Sequence, residues 1–228
     1  MKIIFHCKVH ALLCDHDIEY DDSPSLCNIM CNGNMKSGVL IDYDFSLASL
    51  RHPCHMPQAR TNRMGGIPFM AIGLLKDEYW NGSIERLYRH DLEAFIWILP
   101  FVFLRYQNGK SQRGTLVDQW MTSNYIACRK EKISFQNVWD LPNKKLFCQS
   151  DFNDHWKLVQ SLLVWQVKIS LAALERMHEL GMTSDSSVAS IWPLFVERLR
   201  LVAKRDPEHL SYVDKLVNNL GLENIFVT

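Results

Sequence analysis

Asn28 and Asp42 are the two residues of this chain whose types and spacing most directly suggest chemistry. An amide oxygen and a carboxylate are hard donors, the kind that Mg²⁺ prefers and shares with substrate phosphates. Between them the chain reads Asn28-Ile-Met-Cys, then Asn32-Gly-Asn-Met-Lys-Ser, then Gly38-Val-Leu-Ile-Asp. Two short apolar runs around an Asn-Gly turn predict a β-hairpin over 28–42. Asn28 starts its first strand and Asp42 ends its second, so a tight hairpin brings both side chains to one mouth. The alternative is that Asn28 caps a turn and Asp42 is a surface loop residue, because both types favour turns. Cys27, Cys31, His52, Cys54 and His55 form a second set, with the residue types of a zinc site. Their spacing is irregular and Cys27 and Cys31 straddle a strand, so buried or free thiols are the default. No orienting partner marks any cysteine as a nucleophile.

The elements that must position these residues are mixed and dominated by helix. Residues 15–25 are acidic and end in turn formers, which predicts a loop. Residues 43–68 hold Pro53, Pro57, Gly65, Gly66 and Pro68 with little periodicity, which predicts a long loop of the functional or disordered kind. Asp91–Tyr106 is apolar on every side after its first turn, as a helix in the middle of a core is, with Asp91 as its N-cap. Leu116–Ile126, His155–Leu180, 191–203 and His209–Leu220 are further helices, the last opened by Pro207. The expected fold is mainly α with a small β-hairpin.

Composition narrows the classes. The chain has 228 residues, 47% hydrophobic and 22% charged, which suits one globular domain and argues against wholesale disorder. Lys+Arg and Asp+Glu are both 25, so no net field recruits nucleic acid or an anionic membrane. Seven cysteines in no regular framework read as reduced thiols, which places the chain inside the cell, in cytoplasm or nucleus. His6 and Lys8 interrupt the apolar start before a signal-peptide core forms. The longest apolar run, Ala94–Leu104, contains Pro100 and falls short of the roughly 20 residues a spanning helix needs. Trp139, Trp156, Trp165 and Trp192 read as core. Arg129-Lys-Glu-Lys132 and the basic residues within Leu199–Arg205 read as solvated helix faces rather than a nucleic-acid patch. On these grounds neither nucleic acid nor a membrane is expected as a partner.

The order of motifs adds a resemblance. Asn28-Ile-Met, a hairpin, Leu40-Ile-Asp-Tyr-Asp-Phe, a loop, Gly65-Gly-Ile-Pro-Phe-Met-Ala-Ile and Tyr88-Arg-His-Asp-Leu-Glu-Ala-Phe together resemble the C-terminal lobe of a protein kinase. Within the kinases they are most similar to the fungal-type protein kinase family, over about 28–105. The resemblance implies a single protein-kinase-like C-terminal lobe over 1–228. Residues 1–27 would be a degenerate catalytic-loop region, 28–42 the metal-loop hairpin, 43–75 an activation-segment-like loop and 76–228 the helical lobe. It implies Mg²⁺ and ATP as cofactors and a Ser/Thr hydroxyl on a protein as acceptor. Asn28 matches the catalytic-loop Asn that holds a metal, and Asp42 the metal-binding Asp of the Asp-Phe-Gly motif, here Asp42-Tyr-Asp. Gly65–Leu75 resembles the block that receives the peptide. Asp91 matches a buried structural Asp that holds the catalytic-loop backbone.

The departures from that pattern matter as much. No Gly-x-Gly-x-x-Gly occurs, and no strand Lys precedes a matching helix Glu. Only 27 residues precede Asn28, so an upper lobe is expected to be missing. The residue five before Asn28 is Ser23, where the family has its catalytic Asp. Asp21 or Asp22 would be the base, in an Asp21-Asp22-Ser23-Pro24 variant of the loop, unless 15–22 is an unrelated acidic loop. Gly66 stands where a Thr orients the catalytic Asp. Gly73 replaces a Glu that pairs with a buried Arg, and an Arg left unpaired would cost several kcal/mol. Two functions are therefore expected in competition. One is a phosphotransferase of this family, inactive as this chain; the other is a non-catalytic pseudokinase module that binds a protein.

Overall fold

The computed structural model describes residues 18–19, 29–31, 38–40, 47–48, 66–108, 110–138, 153–180, 187–204, 211 and 213–214. The chain divides into two compact units, Met1–Asp154 and His155–Thr228.

The first unit begins with two nested antiparallel pairs. Strand β2 (Ile29–Cys31) pairs with β3 (Gly38–Leu40), Ile29 opposite Leu40 and Cys31 opposite Gly38. This is the hairpin that the Asn32-Gly33 turn predicts. Outside it in sequence, β1 (Ile18–Glu19) pairs with β4 (Leu47–Ala48), Glu19 opposite Leu47 and Ile18 opposite Ala48. Both outer strands fall in stretches that read as loop. Each is two residues long, too short for any alternation to show in sequence.

A 3-10 turn at Ile72–Leu74 and a short helix α1 (Asp77–Trp80) lead to α2 (Tyr88–Arg105). Helix α2 starts three residues earlier than its sequence suggests, and Asp91 does not cap it. The N-cap is Leu87, extended at φ −124 and ψ 156. Its N–H donates to His90 Nδ1 at 3.0 Å, so the third helical residue closes the first turn from within. Asp91 sits inside that turn and accepts from Arg86 Nε at 2.6 Å. Every residue from His90 to Phe101 is buried, which makes α2 the core of its unit.

After α2 the chain makes a tight hairpin, β5 (Tyr106–Gln107) against β6 (Lys110–Ser111), with Asn108 at φ 50. Asn tolerates this left-handed conformation, and Asn-Gly is the strongest short hairpin signal. The single helix expected over Leu116–Ile126 is in fact two elements. A 3-10 helix spans Leu116–Trp120, and α3 runs Tyr125–Val138. The break comes from Asn124, whose Oδ1 accepts from Ala127 N at 3.0 Å and whose carbonyl accepts from Cys128 N at 3.0 Å. That is an N-cap, and it restarts the helix. Asp118 ties the 3-10 helix back to α2 through Arg105 and accepts from Gly114 N at 2.7 Å. Partial burial acts to raise the pKa of Asp118, but the amides of Thr115 and Gly114 and the Arg105 charge more than offset it and hold the carboxyl below its usual range. Trp97 of α2 meets Trp120 edge to face at 5.2 Å, and Trp120 meets Phe135 of α3 at 5.3 Å, so three elements close on one aromatic cluster.

In the second unit α4 spans Asn153–Leu180 from its start at the unit boundary, and α5 spans Val188–Ala203. Trp156, Val159, Leu162, Leu163, Gln166 and Ala173 make the buried stripe of α4 at helical spacing. Ser187 caps α5 by accepting from Ser190 N. Phe195 packs on Trp165 at 5.5 Å and on Trp192 at 5.7 Å, in keeping with the core reading of these tryptophans. The segment His155–Glu175 is long and apolar enough to cross a membrane, which the interspersed polar residues conceal in a run-by-run reading. Trp139 and most of His209–Leu220 lie outside the described residues.

Candidate functional site

The strand register sets two pairs of strand ends side by side: Glu19 is paired with Leu47, and Ile29 with Leu40. In sequence, segment 20–28 runs from Glu19 to Ile29 and segment 41–46 from Leu40 to Leu47. The first contains Asp21, Asp22 and Asn28, and the second contains Asp42 and Asp44. These five residues lie outside the described residues, as do Cys27, His52, Cys54 and His55 of the zinc alternative. Among the described residues no group of three His, Cys, Asp or Glu side chains is arranged to hold a metal ion.

From Gly66 the chain is described without a break to Asn108. Residues 66–71 and 74–75 are all buried. Gly66 O accepts from Phe69 N at 2.9 Å and from Met70 N at 3.0 Å, which closes a turn over Ile67-Pro68. Side chains from α2 and α3 hold this turn from beneath. Glu93 Oε1 accepts from Ile72 N at 2.8 Å and from Trp97 Nε1 at 3.0 Å. Lys132 Nζ donates to Met70 O at 2.7 Å, and Cys128 Sγ donates to Ile67 O at 3.6 Å. Phe69 also meets Phe101 edge to face at 5.0 Å.

Lys132 corrects the reading of 129–132 as a solvated face. It is wholly buried, one helical turn from Cys128 and three residues from Phe135, both also buried. Its ammonium lies 4.8 Å from the Trp97 ring centre and 5.7 Å from that of Trp120. Burial lowers its pKa to about 8, against the attraction of Cys128 and Glu93. The same charge alternation in sequence thus hides one inward cation among outward ones. Sequence offered one signal for it, the helical spacing of Cys128, Lys132 and Phe135.

Among the described residues no Arg is fully buried, yet Arg89 and Arg129 each carry a buried Nε without a hydrogen-bond partner; the fully buried cation is Lys132, and it has partners. A Cβ at Gly73 would lie 3.6 Å from His90 Nε2, so the imidazole occupies the neighbouring space. His90 accepts at Nδ1, which places its proton on Nε2 in the neutral form. Burial, with Arg89 and Arg86 adding repulsion, pushes its pKa down to about 3. It is neutral at physiological pH. Asp91 is buried as the resemblance implies, and it is held by Arg86.

Comparison with known proteins bears on the same stretch. Residues 8–103 match the model of the fungal protein kinase family. The match spans the nested strand pairs, the turn at 66–72 and nearly all of α2, and it supports the kinase-like resemblance drawn from 28–105. No curated protein and no solved structure matches the chain.

Proposed function

We propose that the chain is the substrate-side lobe of a fungal-type protein kinase, acting on Ser/Thr hydroxyls of a protein, and that 1–228 alone transfers no phosphate. The observation that carries this reading is the family match over 8–103, within which the strand ends Glu19 and Leu47, and Ile29 and Leu40, are paired. Asn28 and Asp42 supply the amide and carboxylate oxygens suited to Mg²⁺, whose role when bound is to neutralise the phosphates of ATP. Were phosphate clamps supplied from an upper lobe, Asp21 or Asp22 would accept the hydroxyl proton as the acceptor oxygen bonds to the γ-phosphorus and the β–γ bridging bond breaks, leaving ADP. The sequence 1–228 contains no Gly-x-Gly-x-x-Gly phosphate loop. Positioning supplies much of the rate in phosphoryl transfer, so what remains is insufficient for turnover. Ser23 at the position of the catalytic Asp favours a second reading, a pseudokinase module whose ligand is a partner protein. Either role would be exercised inside the cell, in cytoplasm or nucleus.

The test is incubation of purified 1–228 with radiolabelled ATP, Mg²⁺ and generic Ser/Thr substrates, beside Asp42→Ala. Both should give background incorporation. Robust incorporation that Asp42→Ala abolishes would overturn the inactive reading and make Asp21 and Asp22 the next residues to substitute.

A further inference from the structure

We infer that Lys132, Glu93 and Cys128 are positioning residues that hold 67–72 as a preformed platform, in place of the carboxylate absent at residue 73. The inference rests on the reading of Gly65–Leu75 as the block that receives the acceptor peptide. Three contacts converge on this one short stretch of backbone. Cys128 Sγ takes the carbonyl of Ile67, Lys132 Nζ the carbonyl of Met70, and Glu93 Oε1 the amide of Ile72. The three side chains come from two helices, and each belongs to a buried residue. The two carbonyl contacts are buried and the Ile72 contact partly so, and a buried backbone group that loses its partner is expensive.

The groups also support one another. Trp97 Nε1 donates to the same Glu93 oxygen, which fixes the carboxylate under Ile72. The Trp97 and Trp120 rings flank the Lys132 ammonium and limit where it can go. Lys132 and Glu93 attract each other, so each offsets part of the other's burial. A side chain at 73 could anchor the segment only from its C-terminal end. The Lys132 and Cys128 contacts instead fall in the middle of the turn, on the carbonyls of Ile67 and Met70, and brace it along its length. A platform held in this way needs no ordering when a peptide arrives, which is the benefit of preorganisation.

Amide hydrogen exchange on the full chain tests this. In wild type, the Ile72 amide should exchange at least a hundredfold more slowly than the amide of exposed Glu85. Lys132→Met should raise exchange across 67–72 at least tenfold while leaving 94–99 in α2 within twofold. Glu93→Ala should open Ile72 by a similar factor, and Glu93→Gln, which keeps the acceptor oxygen, should restore most of the protection. An Ile72 amide as fast as Glu85 in wild type would overturn the inference, even if the variants fail to fold. So would 67–72 unmoved by both Lys132→Met and Glu93→Ala, or 94–99 loosening as much as 67–72. None of these readouts uses nucleotide, so the platform and the phosphotransfer reading stand or fall separately.

Discussion

Helices α2 and α4 are both rich in apolar residues, and they use that property differently. Helix α2 is buried on every side, and His90, Asp91 and Glu93 are buried along with its apolar residues. Helix α4 is longer, yet only 28% of its most apolar window is buried, and Leu171 and Leu174 on it are exposed. In α2 the polar minority is what gives the helix its job, because each buried polar group must find a specific partner. In α4 the buried stripe is almost wholly apolar and specifies packing alone. Hydrophobicity therefore says how a helix is stabilised, and the polar residues it buries say what it holds in place.

Acid should widen this contrast most. His90 has a folded pKa of about 3 against an ordinary 6.5. Between those values the unfolded chain binds the proton and the folded chain does not, so stability falls as pH drops from 6.5 towards 3 and is unaffected by this group above 6.5. The full difference amounts to about 5 kcal/mol. Unfolding in urea between pH 3.5 and 7 should show this limb, and His90→Asn, which keeps an acceptor for Leu87 N–H, should flatten it. Equal acid limbs in the two proteins would remove His90 from the account.

Trp97→Ala comes next. It deletes the ring beneath Lys132, the donor to Glu93 and the contact with Trp120, and a loss of about 4 kcal/mol is expected at neutral pH. A loss near 1 kcal/mol by denaturant titration would mean that the cluster recloses around the gap. The smallest effect is expected on the outer face of α4. Leu171→Ser and Leu174→Ser should each change stability by less than about 0.5 kcal/mol. A loss above about 1 kcal/mol in either would show that something covers this face, and the contrast between the helices would then collapse.

What sequence revealed follows the range over which each signal acts. The β2–β3 hairpin was legible because an Asn-Gly turn is a local instruction. The core helix over 91–105 was legible because a long apolar run has one plausible place. Its start was not, because the cap is a buried His90 reaching back to Leu87, a pattern no preference for Ser, Thr or Asp would find. Asn108-Gly109 is the same turn signal as Asn32-Gly33, but it lies between strands of two residues, with no apolar runs to flag it. β1 and β4 are equally short, and their pairing joins residues about thirty positions apart. The platform under 67–72 was hidden for a further reason. Lys132 looks outward in sequence, and only the packing of α3 turns it in. Asn28, Asp42, Asp21 and Asp22 were singled out by type and motif, and they lie outside the described residues.

The three contacts on that platform span very different lengths of chain. Glu93 reaches Ile72 across 21 positions, whereas Cys128 reaches Ile67 across 61 and Lys132 reaches Met70 across 62. Closing the longer loops costs about 1 kcal/mol more entropy than closing the shorter one. Cys128 and Lys132 are one turn apart on α3, so the first to bind makes the second nearly free of that cost. During folding the carboxylate of α2 should capture its amide early, while the thiol and the ammonium arrive later and together, when α3 docks. The docking of α3 is then the last event in fixing 67–72, and a partly folded chain would carry that stretch unlocked.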